Sequence, residues 1–377
     1  MRVAIVHYWL VSMRGGEKVL ESLCRLFPEA DIFTHVYDPE AVSKTIRRHR
    51  ISTTFINSLP FARRCYKQYL PLMPIALEQI DLRGYDLVIS SESGPAKGII
   101  PSAGAVHICY CHSPMRYIWS MFHDYRERAG FLTKLVMPPL AHYLRSWDAV
   151  ASMRVDCFIA NSQTVAARIS KYYRREAIVI YPPVDVDMFD SVPVTEVEDY
   201  YLMAGELVAY KRPDLAVDAF NASGRRLVVI GGGQMLTAIR KMAGPTVTVL
   251  GSQPFEVLRH HYARCRALIF PGEEDFGIVP VEVMASGRPV IAYGRGGVTE
   301  TVTDGVAGLF FEEQSPAAIE QVIRKFERMR FDSAAIKAQA AKFHVDKFMS
   351  EFVSVLGRAL GHKLNRHQPS REKDLFP

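Results

Sequence analysis

Pro271-Gly-Glu-Glu-Asp-Phe-Gly-Ile-Val-Pro-Val-Glu-Val-Met-Ala-Ser-Gly287 decides the reading of this chain. The run Arg266 to Phe270 before it has the length of a buried strand, and Pro280 suits the first turn of a helix. A Phe276-Gly277 turn therefore joins strand to helix. Backbone N–H groups from Gly277 through Ile278 to Val279 would open that helix without intrahelical acceptors, which makes a seat for a phosphate. Glu274 precedes the turn and Glu282 lies in the first helical turn, so their carboxylates can grip hydroxyl groups flanking that phosphate. Phosphate and polyol together suggest a nucleotide-sugar. The plainer explanation is two acids spaced by chance, stabilised in any case by the start of a helix.

Working outward, 377 residues are enough for two domains, and 49% hydrophobic with 23% charged residues is the balance of a globular protein. No apolar run reaches membrane-spanning length, and Met1-Arg-Val-Ala-Ile opens as a strand rather than a cleavable signal, so a cytoplasmic location is expected. A net charge of +6 is too modest to imply nucleic acid, and no nucleic-acid partner is expected; anionic ligands or an anionic membrane surface are compatible with it. Six scattered cysteines without a C-x-x-C pair argue against a disulfide framework. His107, Cys109, Cys111 and His112 are the one cluster with metal-type side chains. Three ligands in a row on one strand face fit a tetrahedral ion poorly, so no metal and no cofactor is expected.

The first half alternates strands with helices. Arg2 to Trp9, Asp86 to Ser90, Val106 to Cys111 and Cys157 to Asn161 read as buried parallel strands, and Val19, Leu20, Leu23, Leu26 and Phe27 keep helical spacing after Gly15-Gly16. Pro182-Pro183 breaks the pattern, and a linker is expected over 182–195. Alternation restarts with strands at Tyr200 to Ala204, Arg226 to Ile230, Thr246 to Leu250, Ala267 to Phe270 and Pro289 to Ala292, and a helix from Pro213. The expectation is an α/β protein with a first domain over 1–181 and a second over 196–344, each a doubly wound sheet. An apolar stripe from Phe348 to Leu360 predicts a last helix over 345–361, followed by a disordered polar tail over 362–377.

Outside the opening stretch, three places hold chemistry. Gly15-Gly16 follows the first strand; a lone Gly-Gly is commonly just a loop, but bare backbone there can approach a pyrophosphate, and the lack of G-x-G-x-x-G counts against a nicotinamide site. His112 closes the strand Val106 to Cys111, where ligands collect in such sheets, although a lone histidine is ordinarily structural. Lys211 and Arg212 sit between a strand and the helix at Pro213, a position that favours contact with an anion over simple solvation. Residues 47–74 mix Arg47, Arg48, Arg63, Arg64 and Lys67 with aromatics, which is either a solvated surface or a contact with an anionic membrane.

The Glu274-x7-Glu282 stretch, with Phe276-Gly-Ile-Val279 inside it and Val283-Met-Ala-Ser-Gly287 after it, resembles the Glu-x7-Glu motif of the retaining glycosyltransferases of the fourth sequence family. The resemblance extends over the chain apart from the short tail. It implies a GT-B fold, two Rossmann-like domains facing across a cleft, with the last helix returning to the first domain. It also implies roles: Glu274 on hydroxyls of the donor sugar, Glu282 on the ribose, Lys211 on the donor phosphates, Gly16 at the pyrophosphate, and His112 beside the reacting carbon. Glu206 departs from the pattern, since the family often has an arginine there; Arg212 or Arg295 would then supply the charge, or Glu206 pairs with Lys211 or another base. His112-Ser-Pro-Met-Arg-Tyr117 and Val208-Ala-Tyr-Lys-Arg-Pro-Asp-Leu215 look most like bacterial mannosyltransferases of O-antigen and exopolysaccharide assembly. That likeness implies GDP-mannose as donor, a polyprenyl-diphosphate-linked saccharide as acceptor, and work at the inner face of the cytoplasmic membrane. A GT-B epimerase or hydrolase, and a non-catalytic membrane-associated assembly protein, are the alternatives.

Overall fold

The computed structural model describes residues 1–190 and 197–366. The chain divides into two compact units, one formed by 1–161, 165–180 and the chain from 348 onward, the other by 162–164 and 181–347.

The first unit is built on a seven-stranded sheet with strands β1 (Val3–His7), β2 (Asp31–Thr34), β3 (Ile51–Thr53), β4 (Leu87–Glu92), β5 (Val106–Cys111), β6 (Cys157–Ala160) and β7 (Ala177–Val179). Their order is β3-β2-β1-β4-β5-β6-β7 and every pairing is parallel. β1, β4 and β5 are buried along their whole length, with both faces covered, including the polar His7, Ser90, Ser91, Glu92 and His107. The order reverses between β1 and β4, and there the strand ends leave a crevice. The helix Gly15–Leu26 buries Val19, Leu20, Leu23 and Cys24 on the sheet. It starts at Gly15, so the two glycines form its first turn rather than precede it.

Phe348, Phe352, Val355 and Leu356 of the last helix lie in the same core as Ile5, Leu20 and Ile89. That helix spans Val345–Arg366, which corrects the expectation of a tail from 362. Gly361 costs a helix interior about 1 kcal/mol, and the Lys, Leu, Asn and Arg that follow are tolerant of helix, so the glycine alone does not end it. The rest of the expected tail, 367–377, lies outside the described residues.

The second unit repeats the plan with β8 (Tyr201–Ala204), β9 (Leu227–Ile230), β10 (Val247–Gly251), β11 (Leu268–Phe270), β12 (Val290–Tyr293) and β13 (Gly308–Phe311). The order β10-β9-β8-β11-β12-β13 is again parallel throughout, with the reversal between β8 and β11. The expected linker needs correction. Val184, Val186 and Phe189 are buried in the core of this unit beside Leu202 and Val283, and Val184 bridges to His344. Two prolines hold the backbone extended, and the apolar residues after them have a core to enter; residues 191–195 of the expected linker lie outside the described residues. Among the described residues no helix is long and apolar enough to cross a membrane.

Candidate active site

In the second unit the crevice at the reversal lies between the segments that leave β8 and β11. The first carries Lys211 and the second Glu274, and Lys211 Nζ stands 2.9 Å from Glu274 Oε1 with both side chains mostly buried. Burial works against the Lys211 ammonium, but Glu274 foremost, then Tyr210 and Glu206, outweigh it and raise its pKa above the ordinary lysine value. Lys211 is thus a fixed cation paired with Glu274, and Glu206 adds a smaller attraction. Arg212 is directed elsewhere: its guanidinium donates to Asp214 at 3.0 to 3.3 Å from a left-handed backbone. Arg295 lies over the ring of Tyr293.

The loop between Glu274 and the Ile278–Ala285 helix is pinned on both sides. Gly297 N–H donates to Glu274 O at 2.9 Å, and Gly277 caps the helix with φ 82°, a conformation that favours glycine. One expectation shifts here. Phe276 is a packing residue, its ring buried against Tyr181 and Phe343 at centroid distances of 5.8 and 5.6 Å, because an aromatic side chain at a loop root is worth more in the core than in water. Ile278 and Val279 pack their side chains against the same core, in keeping with the expectation that rests on their backbone N–H groups rather than their side chains. Glu282 is buried and accepts a hydrogen bond from the Tyr262 hydroxyl at 3.2 Å. Burial first, and then Glu282, keep that phenol protonated far above its ordinary range.

In the first unit the reversal between β1 and β4 gathers a polar chain. His7 and Ser91 are register partners at the ends of those strands. Ser91 Oγ lies 3.0 Å from His112 Nε2 and 3.2 Å from His7 Nδ1, and His7 Nε2 is 3.9 Å from Glu17 Oε1. Glu17 also caps its helix by accepting from Arg14 N–H at 2.9 Å. The serine has a single proton, so it donates to one imidazole and accepts from the other. Burial, then the neighbouring His7, push the His112 pKa down to about 3, so the ring is neutral. With Nε2 on Ser91, Nδ1 is the nitrogen that can meet a ligand. The two glycines separate at this point. A side chain at Gly16 would run into the Tyr8 hydroxyl and come within 3.5 Å of His112 Nε2, whereas Gly15 faces open space.

Beneath His112, its N–H donates to Glu92 O at 2.7 Å. The Glu92 carboxylate lies 3.2 Å from Lys97 Nζ, and Lys97 also pairs with Asp148, which accepts from Trp119 and Tyr173, each at 2.8 Å. Burial raises the Glu92 pKa to about 7 against the pull of Lys97. Sequence reasoning missed His7, Glu17, Ser91 and this lysine cluster; the available signal was polar residues closing apolar strands. Among the described residues no group of three or more His, Cys, Asp or Glu side chains could hold a metal ion.

Both halves match known glycosyltransferases. Residues 13–188 match the family described as Glycosyltransferase Family 4 and residues 187–343 match Glycosyl transferases group 1. Anabaena Alr3699/HepE in complex with UDP and glucose superposes with a TM-score of 0.70 over 95% of this chain and 99% of that one, at 16% identity. Sucrose-phosphate synthase from Thermosynechococcus elongatus gives 0.71 over 96% and 100%, also at 16% identity. The chain has the GT-B glycosyltransferase fold.

Among curated proteins this GT-B chain is 26% identical to a D-inositol 3-phosphate glycosyltransferase of Segniliparus rotundus, over 67% of this chain and 70% of that one. It is 28% identical to the human Alpha-1,3/1,6-mannosyltransferase ALG2 over 58% of each. It spans half the length of the uncharacterized glycosyltransferase MJ1178 of Methanocaldococcus jannaschii, at 29% identity.

Proposed function

We propose that this protein is a retaining glycosyltransferase that moves mannose from GDP-mannose to a polyprenyl-diphosphate-linked saccharide, in O-antigen or exopolysaccharide assembly at the inner face of the cytoplasmic membrane. The observation that carries the transfer chemistry is the Lys211–Glu274 pair, set at a sheet reversal just before the start of a helix. A fixed ammonium and helix-start N–H groups suit a leaving diphosphate, whose negative charge grows as the glycosidic bond breaks. Donor arrival would release Glu274 from Lys211, so that the carboxylate takes sugar hydroxyls while the ammonium takes phosphate. Glu282, with one oxygen held by Tyr262, is assigned to the ribose, and His112 Nδ1 to a hydroxyl of the transferred sugar. In the front-face mechanism that family resemblance implies, the departing diphosphate assists removal of the acceptor proton, and no covalent nucleophile is assigned.

The mannose reading is supported by likeness to ALG2 and by the sequence motifs around His112 and Lys211. A UDP-sugar donor is the second reading, favoured by the structural neighbour bound to UDP-glucose. Thermal stabilisation across GDP-mannose, GDP, UDP-glucose and UDP separates them, since a ligand at a hundred times its dissociation constant adds about 2.7 kcal/mol. Selective stabilisation by GDP and GDP-mannose is expected, followed by an α-configured product in the NMR spectrum. Selectivity for UDP compounds overturns the donor, and a β-configured product overturns retention.

A further inference from the structure

We propose that the first turns of the Phe131–Ser152 helix form a docking surface for an anionic lipid leaflet. Phe131 is 82% exposed, Leu132 74%, Leu135 68% and Val136 57%. At positions i, i+1, i+4 and i+5 they make a single stripe along two turns, so this is one apolar face and not a scatter of surface residues. The turn before it exposes Asp124, Tyr125, Arg126, Glu127 and Arg128, two acids matched by two bases, and Lys134 is exposed within the stripe. Further along, Met137 and Leu140 of the same helix pack on the cluster of Met115, Ile118 and Phe122.

Leu70 packs on that same cluster and brings a second exposed segment to it. This segment displays Phe61, Leu72 and Ile75 together with Arg63, Arg64 and Lys67, and residues 61–75 contain no acid. The expected membrane contact over 47–74 therefore moves. Arg47 lies 3.9 Å from Glu40, Arg63 lies 3.5 Å from Asp38 and the His49 ring bonds Ala30 O, so the 47–50 arm and Arg63 are held locally and Arg64 and Lys67 carry the flank's charge. The apolar centre lies at 131–136, and 61–75 is its basic flank.

Charge selects the occupant. A second copy would offer the cations of the acid-free 61–75 flank either that same flank or a turn whose acids are already matched by Arg126 and Arg128. An anionic leaflet takes the apolar side chains at the acyl boundary and the cations at the headgroups together. The surface extends the lipid-linked acceptor reading, yet its test needs neither donor nor acceptor, so each can fail without the other.

The full chain is floated with phosphatidylglycerol–phosphatidylethanolamine vesicles and, separately, with phosphatidylcholine vesicles. Its oligomeric state is read by light scattering. Wild type is expected to float with the anionic vesicles alone. The Leu132→Glu/Leu135→Glu variant should partition at least roughly tenfold less and Lys134→Glu measurably less. These side chains are exposed, so the variants should melt with the wild type. Equal flotation of the double variant overturns the proposal. So does no flotation by wild type, or a wild-type oligomer that the double variant dissolves without any vesicle binding.

Discussion

Alanine at Gly16 offers the sharpest quantitative test of the His112 neighbourhood. A methyl group there meets the Tyr8 hydroxyl, and Tyr8 is buried between the rings of His7 and Trp9, so it cannot swing aside freely. Overpacking of this kind costs about 1–3 kcal/mol. Alanine gains at most about 1 kcal/mol over glycine within a helix, and less in a first turn. The net loss is about 1–2 kcal/mol, which lowers the melting point of a unit this size by roughly 2–8 °C. Gly15→Ala meets nothing within 4 Å and should stay within about 0.5 kcal/mol of wild type. Tyr8→Phe removes the obstructing oxygen, so Gly16→Ala in that background should lose at least half its cost. Urea denaturation followed by tryptophan fluorescence suits the assay, because Trp9, Trp119 and Trp147 all belong to the first unit. A coupling energy within about 0.3 kcal/mol of zero, or equal effects of alanine at 15 and 16, would refute the packing argument.

Other outcomes follow from the same geometry. Lys211→Ala leaves Glu274 mostly buried without its cation and should cost about 1–3 kcal/mol, while adding Glu274→Gln recovers part of it; urea midpoints that merely add up would contradict the pairing. Burial holds His35 neutral down to about pH 3 and His107 down to about pH 4. The unfolded chain binds those protons from about pH 6.5, so both contributions are present above that pH and fade below it, each by up to about 1.4 kcal/mol per unit. Glu92 runs the opposite way between about pH 4.3 and 7, taking its proton in the folded state. His107→Gln should therefore flatten the acid limb by about one proton, and an unchanged slope across pH 7 to 5 would count against a neutral buried ring. Ser91→Ala frees His112 Nε2 and should lower donor turnover while leaving stabilisation by the free nucleotide intact, with Ser91→Thr restoring turnover; loss of both responses together would point to a folding role.

Elements buried on both faces were legible as runs. β1, β4 and β5 carry no polar alternation, so the chain announces them. β2 and β3 alternate burial or lie half exposed and are short, and the reading passed over them. β13 hid behind Gly305 and Gly308, which look like a loop although the strand starts at Gly308. Pro138 and Pro139 disguised the Phe131–Ser152 helix, since proline in a helix interior is costly. Within the site, Lys211 and Glu274 were legible because each follows a strand end on its own stretch of chain. The Glu17–His7–Ser91–His112 chain was not, because it exists only once β1, β4 and a helix are brought together. Which carboxylate would neutralise Lys211 was likewise a tertiary fact.

The first unit's core is closed by Phe348, Phe352, Val355 and Leu356, all made after the whole second unit. On the ribosome, residues up to 180 must wait while about 170 more are added, roughly 10–35 s at ordinary elongation rates. Over that interval the core that holds Ile5, Leu20 and Ile89 lacks its last helix, and the second unit can reach its native state first. Synthesis order is thus inverted in folding: the part made first is finished last. A stop codon directly after Lys347 would spare the second unit and leave the first open to chaperones and proteases.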